Sequence, residues 1–479
     1  MKKNILVVRN DQIGDTCLTA PLFKNIKNLW PDSRLTVISS KQSIEFVKLL
    51  VDVDDVVIDF KQLHTSYSML KLVSFLKQFK ADMIFFSKMD SDYIIASRIA
   101  NIKVRVGDKN NVLLNPFLSH KVNICWHDFT KHEVDQQLRL LSPFTKSFEN
   151  QTIKFKENKE VKKRLFKTHF NKMNYIVIHP SFGKGNRALT SYHYKHVIES
   201  ILKENNLDVV ITGVQKDLDF VSSFNLNQSN RVINLVGKLS IEELLYVIKY
   251  ASVVISAETG PMHLASLLKK KIINISPTKY VKSFRWGPYE TDHVIIKNNK
   301  KCNLICQTYK VDCNEMYCID SIKTYDILKS IKFLFDTSHF PEKRLLYWLK
   351  TTTTINIVIH TQSDLDIQQA KDLIDKLKSN NVSFNVIFSS KANSSLLEIE
   401  SSEVISIWDI KKWIRYLSVQ QMPMIHLFGN INPIWITIVK KLVALKIDLE
   451  PFIYQNRGSH DSLGDVFSDY ILQSNLLSR

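Results

Sequence analysis

Short apolar runs alternate along the chain with segments of helical periodicity. The first run, Asn4 to Val8, has the composition of a buried parallel strand, and a polar turn and a helix through Ile26 follow it. Similar runs follow at Leu35–Ile38, Val56–Ile58 and Met83–Phe86. Strands that alternate with helices in this way predict an α/β fold with a parallel sheet.

The same alternation starts twice more, at Tyr175 and at Ile355. A lysine-rich polar stretch at 150–172 separates the first two sets and is typical of a linker or a surface helix. The length of 479 residues also exceeds what one core ordinarily organises. We therefore predict three α/β domains, at residues 1–165, 170–338 and 345–479, the last an accessory domain of unknown role.

Composition places the chain among globular proteins, with 44% hydrophobic and 23% charged residues. No apolar run approaches the roughly 18 residues that a transmembrane helix needs. The start has two lysines before an apolar stretch, as a signal peptide has, but that stretch ends at Arg9 and fits a strand better. We expect a cytoplasmic protein.

The net charge of +18 is concentrated in the first two thirds of the chain. Residues 1–340 carry +17 and residues 341–479 carry +1. A basic surface suits nucleic acid, acidic lipid headgroups or a phosphorylated or carboxylated glycan. No nucleic-acid recognition motif accompanies the charge, so we expect no nucleic-acid partner.

Candidate chemistry begins in the turn after the first strand, DQIGDT at 11–16. The carboxyl edge of a parallel sheet is where ligands bind in open α/β folds. Asp15 is expected at a helix start, where the dipole keeps a carboxylate ionised, and such a carboxylate can take a proton from a sugar hydroxyl. A simple helix N-cap explains Asp15 equally well.

A second candidate segment, SAETGPMHL at 256–264, follows an apolar strand and opens a helix. Thr259 suits the N-cap and Pro261 the first turn. The free amides of such a helix start bind phosphate groups. Glu258 then fits sugar hydroxyls and His263 a phosphate oxygen, and the alternative is an ordinary capped helix with a hydrogen-bonded histidine.

A third segment, HPSFGKGNR at 179–187, also follows a strand. Its glycines allow close backbone approach, and Lys184 and Arg187 can neutralise a leaving diphosphate. The segment is neither a Walker A loop nor G-x-G-x-x-G. Two of the three segments fall in the second predicted domain and one in the first, which is the layout of a two-domain enzyme with its cleft between them.

Four of the six cysteines are clustered with the spacing C-x3-C-x6-C-x4-C: Cys302, Cys306, Cys313 and Cys318. Zinc sites usually use C-x2-C or C-x4-C pairs, so the fit to a structural zinc site is imperfect. Reduced cysteines that pack as small hydrophobic residues are the alternative.

Several segments resemble glycosyltransferase family 9, the heptosyltransferases of the lipopolysaccharide inner core. They are IGDTCLTAP at 13–21, HEVDQQLRLL at 132–141, VIHPSFGKGNR at 177–187, NLVGKLSIEELLYVIKYASVVISAETGPMHLAS at 234–266 and RWGP at 285–288. The similarity covers roughly residues 1–335 in the order and spacing of the family, which is more specific than any one motif.

The resemblance implies the GT-B fold, in which an N-terminal Rossmann-like acceptor-side domain (1–165) faces a Rossmann-like nucleotide-sugar donor domain (170–338) across a cleft. It also implies inverting transfer from ADP-heptose without a metal ion or other cofactor, and Asp15 as the general base. The donor-binding positions it implies are Ser181, Lys184, Arg187, Asp217, Leu239, Glu258, Thr259, Gly260, Pro261 and His263.

The acceptor that the resemblance implies is an anionic lipid-linked saccharide, Kdo-lipid A or an inner-core heptose. A positive excess suits both this acceptor and peripheral docking on the inner face of the plasma membrane. Candidate acceptor-side positions are Gly14, His132 and a set of cations in the first domain: Lys61, Lys71, Lys77, Lys80, Arg98, Lys103 and Arg105.

This chain departs from the family pattern in three places. Glu258 stands where the family usually has Asp, the tryptophan common after the phosphate loop is replaced near Ala188 and Leu189, and residues 345–479 have no counterpart. The first alternative is therefore a transferase of the same fold that uses another nucleotide-sugar for an O-antigen, a capsule or a glycoprotein. The second is a non-catalytic module that binds a nucleotide-sugar or glycan without turnover.

Overall fold

The structure is a computed structural model of the 479-residue chain. It describes residues 2–64, 66–124, 132–148, 152–170, 174–180, 189–204, 206–226, 229–276, 283–298 and 322–335, and beyond these only strands. Within the described residues, no helix combines the length and the apolar character that crossing a bilayer requires.

The first domain is a parallel six-stranded sheet in the order β3-β2-β1-β4-β5-β6. Its strands are β1 (Asn4–Arg9), β2 (Arg34–Ser39), β3 (Asp55–Ile58), β4 (Met83–Phe86), β5 (Val104–Asp108) and β6 (His120–Val122). Its helices are α1 (Ile13–Leu29), α2 (Ile44–Lys48), α3 (Phe60–Leu63), α4 (Met69–Lys77), α5 (Ser91–Ile99) and α6 (Glu133–Leu138). The strand order reverses between β1 and β4, and ligands of such sheets bind at that reversal.

The second domain has seven parallel strands in the order β13-β12-β11-β10-β7-β8-β9. These are β7 (Tyr175–His179), β8 (Asp208–Ile211), β9 (Val232–Asn234), β10 (Val253–Ala257), β11 (Lys271–Ser276), β12 (His293–Asn298) and β13 (Arg344–Leu349). Its helices are α7 (Lys159–His169), α8 (Ser191–Glu204), α9 (Leu218–Ser222), α10 (Ile241–Tyr250), α11 (Gly260–Leu267), α12 (Ser283–Trp286) and α13 (Thr324–Phe335). The order reverses between β7 and β10.

A third parallel sheet has the order β16-β15-β14-β17-β18 and so repeats the winding of the first two. Its strands are β14 (Ile355–Ile359), β15 (Phe384–Phe388), β16 (Glu403–Val404), β17 (Met424–Phe428) and β18 (Phe452–Asn456). The alternation predicted to start at Ile355 does begin with a strand there, and the segments between these strands lie outside the described residues.

Both predicted domain boundaries need correction. The strand β13 pairs with β12, so the second sheet extends to Leu349 and the third domain begins after it, not at 345. The helix α7 also belongs to the second domain, because Phe166 packs edge-on against Tyr250 of α10 with ring centroids 5.2 Å apart. The first domain ends earlier than predicted, near Phe155, which bridges to Leu50.

The interior of each sheet explains why the apolar runs form strands. Residues Ile5 to Val8 of β1 and Val253 to Ile255 of β10 are at most 1% exposed, as expected for parallel strands covered on both faces. One cluster of buried side chains runs from Phe23 of α1 to Met262 of α11 and thus joins the first two domains. This shared core holds the two sheets with their ligand-binding edges near one another.

Candidate functional site

The starts of α1 and α11 meet between the first two domains. Each helix follows a strand next to the order reversal of its sheet, β1 and β10 respectively. A Cβ atom built on Gly260 would lie 2.6 Å from Cγ2 of Ile13, and one built on Gly14 would lie 3.2 Å from Cδ2 of His263. The two glycines therefore permit a close approach that any side chain would obstruct, and we call this contact the helix junction.

Asp15 lies in the first turn of α1, beside the helix junction. The N-cap position belongs to Gln12, so the interpretation of Asp15 as an N-cap is wrong. Oδ1 of Asp15 lies 3.2 Å from Nη2 of Arg9, and the carboxylate keeps about a third of its surface exposed (33%). Asp15 is therefore held by a cation on one side and open on the other, as a general base requires.

Arg9 ends β1 and is 4% exposed, and the sequence analysis overlooked it. Its Nε also lies 3.0 Å from Oδ1 of Asp11, although the two atoms are not aligned as a hydrogen bond. Burial raises the pKa of Asp11, and the Arg9 charge opposes that rise. The signal in the sequence was a charged residue at the end of an otherwise apolar buried strand.

The first turn of α11 offers fewer free amides than expected. Thr259 occupies the N-cap, and its own amide donates to Ala257 O at 2.9 Å. The amide of Met262 donates to Thr259 O at 3.0 Å, and Pro261 has no N–H. Among the described residues, the amide of Gly260 is left as the first-turn donor without a backbone acceptor.

His263 lies one turn into α11 and is 8% exposed. Burial, and then the nearby His132, lower its pKa to about 3, so the ring is neutral at physiological pH. Within the described part of the chain, its Nδ1 has no hydrogen-bond partner. A buried ring nitrogen without a partner next to Gly14 marks a position that a polar ligand atom can fill.

Glu258 is oriented by a residue that sequence reasoning missed. Asn274, fully buried on β11, donates through Nδ2 to Oε1 of Glu258 at 3.4 Å. The only signal for Asn274 was an amide side chain inside the apolar strand IINIS.

Asp217 and Leu239 lie in the loops that follow β8 and β9. Asp217 is 8% exposed, and its Oδ2 accepts from the amide of Val214 at 2.8 Å, which braces its own loop. Leu239 packs against the shared core. The donor contacts of Asp217 and Leu239 stay predictions. The remaining predicted donor contacts and the predicted zinc site lie outside the described residues: Ser181, Lys184, Arg187, Cys302, Cys306, Cys313 and Cys318.

Most of the predicted acceptor-side cations lie at the wrong edge of the first sheet. Arg105 is the second residue of β5 and donates to Phe117 O at 2.6 Å, and Arg98 is in the last turn of α5. Helices of such folds run antiparallel to the strands, so helix ends and strand starts share the edge opposite the helix junction. Lys77, Lys80 and Lys103 fall at that edge for the same reason.

Lys61 lies at the correct edge, but its charge is already matched. Its Nζ is 2.9 Å from Oδ1 of Asp90 and 3.0 Å from Oδ2 of Asp92. Tyr67 adds a hydrogen bond to Asp92 at 2.5 Å. The structure thus makes Lys61 part of an ion-pair cluster and not a free cation for an acceptor.

His132 joins the two domains. Its Nδ1 accepts from the amide of Val134 at 3.2 Å, which places the ring proton on Nε2, and Nε2 donates to Gly287 O at 2.9 Å. The ring packs against Tyr289 with centroids 4.6 Å apart. Both nitrogens are used within the protein, which gives His132 a role in joining the domains, and its acceptor contact stays a prediction.

Two more contacts accompany His132. Arg285 donates to Oε2 of Glu133 at 2.6 and 2.8 Å, with both side chains at most 2% exposed. Tyr289 donates to Oδ1 of Asp135 at 2.7 Å. We call these three contacts between the start of α6 and residues 285–289 the domain clasp. Its two segments, HEVD and RWGPY, lie about 150 positions apart in the sequence, so nothing local predicted that they touch.

The two Rossmann-like domains, which meet where the starts of α1 and α11 face each other, have the arrangement of the GT-B fold. Residues 80–314 match the model of glycosyltransferase family 9 (heptosyltransferase). The protein is a glycosyltransferase.

Individual relatives agree with this assignment. The chain is 27% identical over 259 residues to lipopolysaccharide heptosyltransferase 1 of Campylobacter coli, covering 50% of this chain and 72% of the relative. The fold matches the crystal structure of a family 9 glycosyl transferase from Veillonella parvula, with a TM-score of 0.59, 16% identity and coverage of 70% and 98%. The E. coli ADP-heptose heptosyltransferase II structure matches with a TM-score of 0.56, 15% identity and the same coverage.

Proposed function

We propose that the protein transfers heptose from ADP-heptose to an inner-core saccharide, Kdo-lipid A or a heptose, with inversion and without a metal ion. The observation that carries the proposal is the helix junction, which brings Asp15 of the first domain beside the start of α11 in the second. The relatives named heptosyltransferases support the sugar, and the name of the E. coli structure supports ADP as the carrier.

Asp15 acts as the general base. Its exposed oxygen takes the proton of the acceptor hydroxyl as that oxygen attacks the anomeric carbon from the side opposite the leaving diphosphate. The C–O bond to the diphosphate breaks as the new glycosidic bond forms. Inversion follows from a single displacement, which needs one base and no protein nucleophile.

The departing diphosphate gains negative charge and is stabilised by the second domain. The amide of Gly260 and the positive end of the α11 dipole face the helix junction, and the neutral ring of His263 supplies a further hydrogen bond. Lys184 or Arg187 adds a cation. One such donor is typically worth about 3 kcal/mol, or roughly a hundredfold in rate.

The charge of the catalytic domains fits an anionic acceptor at a membrane surface. Residues 1–340 carry the +17 excess, which favours phosphates and carboxylates of a lipid-linked saccharide and an anionic leaflet. We propose a cytoplasmic enzyme that docks peripherally on the inner face of the plasma membrane. The corrected positions of Arg98 and Arg105 place part of this charge away from the helix junction, where it suits the membrane better than the reacting sugar.

A different donor sugar is the second candidate, and Glu258 favours it. The side chain is one methylene longer than the family's usual Asp, and Asn274 holds it from the neighbouring strand. A carboxylate displaced by a methylene reaches different sugar hydroxyls, which changes donor preference and leaves the chemistry at Asp15 unchanged.

A donor panel tests the proposal. The purified full chain is offered ADP-heptose beside UDP-, GDP- and CMP-sugars, with Kdo-lipid A as acceptor, with and without EDTA. Transfer from ADP-heptose that resists EDTA supports the assignment, and transfer from another donor establishes the second candidate. Loss of transfer on metal removal would contradict metal independence. Glu258→Asp is the informative variant, because it should raise the preference for ADP-heptose if position 258 sets donor choice.

A further inference from the structure

Asp15 is connected to the second domain by a continuous series of buried polar contacts. The series starts in the domain clasp, where Arg285 donates to Oε2 of Glu133 at 2.6 and 2.8 Å. The other oxygen of Glu133, Oε1, accepts from Nε2 of Gln137 at 2.8 Å. Gln137 lies one turn further along α6, so a single helix connects the clasp contact of Glu133 to the next contact of the series.

The series continues to the end of the first sheet. Ser87, directly after β4, donates through Oγ to Oε1 of Gln137 at 2.7 Å. Nη1 of Arg9 donates to Ser87 O at 2.9 Å, and Nη2 of the same guanidinium lies 3.2 Å from Oδ1 of Asp15. The planar guanidinium thus ties the backbone after β4 to the candidate base in α1.

The other members of this series are buried, whereas the Asp15 carboxylate at its end is exposed to solvent. Exposure is 0% for Glu133 and Gln137, 2% for Arg285 and 4% for Ser87 and Arg9. A connected polar network in a low-dielectric interior holds its members in one geometry, because each broken contact leaves a costly unpaired group. Only Asp15, with a third of its carboxylate exposed, can meet a substrate.

We propose that Arg9 is the positioning residue of Asp15, and that the domain clasp fixes Arg9 through Gln137 and Ser87. The proposal rests on the assignment of Asp15 as the general base. Arg9 occupies Oδ1 of Asp15 and so leaves Oδ2 for the acceptor hydroxyl. The contact that docks the donor-binding domain thereby also orients the base.

The test compares Arg9→Met, Arg9→Lys and Gln137→Met with the unchanged chain, using ADP-heptose and Kdo-lipid A for turnover and ADP as the binding probe. The readouts are kcat, KM and the dissociation constant for ADP. Arg34→Met is the matched control, because Arg34 pairs with Asp55 at 2.5 Å at the opposite edge of the same sheet.

Arg9→Met should lower kcat about tenfold to a hundredfold, with KM and ADP affinity within twofold. Arg9→Lys keeps the charge but not the planar fork, so it should recover part of kcat. Gln137→Met should lower kcat by a smaller factor, again with KM within twofold.

Two results separate this inference from the proposed function. If Asp15→Asn is inactive while Arg9→Met keeps the kcat of the unchanged chain, the inference is wrong and the proposed function stands. If Asp15→Asn retains full transfer, both fall, because Arg9 then has no base to position. Should Arg9→Met be too unstable to purify, unchanged kcat in both Arg9→Lys and Gln137→Met overturns the inference.

Discussion

Gly260 packs directly against Ile13 across the helix junction, where a Cβ atom at position 260 would lie 2.6 Å from Cγ2 of Ile13. Because Cγ2 branches from the β-carbon of a residue in the first turn of α1, moving it requires either an unfavourable χ1 rotamer or a shift of the helix. The separation of the two domains at the candidate site is therefore set by the missing side chain at position 260.

Gly260→Ala should push the two helix starts apart and lower both donor affinity and transfer rate. Overpacking of this kind costs about 1–3 kcal/mol, which corresponds to roughly tenfold to a hundredfold in the affected constants. Steady-state kinetics and calorimetric binding of ADP measure the effect. Gly14→Ala, with its nearest contact at 3.2 Å, should cost less.

The control for this packing effect is a double variant. Ile13→Ala removes Cγ2, so it should restore part of the loss when combined with Gly260→Ala. Wild-type kinetics in Gly260→Ala alone would show that the glycine is not needed for close approach.

Arg285→Met should destabilise the protein by about 3–5 kcal/mol, because it leaves Glu133 buried without its cation. The change in the urea unfolding midpoint measures this loss. Glu45→Gln, which breaks the exposed pair between Glu45 and Lys48, is the matched control and should cost under about 1 kcal/mol. Equal midpoints for the two variants would refute a stabilising role of the domain clasp.

Acidification should destabilise the protein through two buried histidines. Burial lowers the pKa of His179 to about 4 and that of His263 to about 3, from an ordinary 6.5. Below pH 6.5 the unfolded chain binds protons that the folded chain does not. The free energy of unfolding therefore decreases as the pH is lowered from 6.5 to the pKa values of the two folded-state histidines. Each histidine contributes up to ~1.4 kcal/mol per pH unit.

Urea unfolding at pH 7.5 and pH 5.0 checks this dependence. His263→Gln should lose about 2 kcal/mol less than the unchanged chain between the two pH values. His196→Gln, at an exposed position, is the comparison for the removal of a histidine that is not buried. The same loss in His263→Gln would show that His263 does not carry the pH dependence.

Lys61→Met should leave the KM for the acceptor unchanged within about twofold, because the Lys61 charge is matched by Asp90 and Asp92. The variant should instead lower the melting temperature by leaving two carboxylates without their cation. Lys71→Met, at the exposed start of α4 on the same edge, is the control for general charge loss. A severalfold rise in acceptor KM for Lys61→Met alone would restore Lys61 as an acceptor contact.

The positions of the buried strands could be predicted from the sequence, because a strand that is covered on both faces is a continuous apolar run. Asn4 to Val8 and Met83 to Phe86 were predicted nearly to the residue. The prediction failed at β13, since the second domain was expected to end at residue 338. The sheet to which an edge strand belongs depends on the strand it pairs with, here β12, and no local sequence pattern shows that pairing.

The same distinction holds at the candidate site. Strand-to-helix turns can be recognised from local residue types. The candidate site residues identified from the sequence stand at such turns: Gly14, Asp15, Thr259 and His263. Arg9, Asn274 and the Glu133–Arg285 pair were missed because their roles arise only when distant segments come together. The predicted cations Arg98 and Arg105 lie at the edge opposite the helix junction for a related reason, since charge alone does not tell which edge of a sheet a residue occupies.

The most direct test of Asp15 as the general base is turnover by Asp15→Asn together with its affinity for ADP-heptose. We predict a fall in kcat of about a hundredfold to ten-thousandfold, with the dissociation constant for the donor unchanged within about twofold. Transfer at the wild-type rate by Asp15→Asn would show that the helix junction holds no general base.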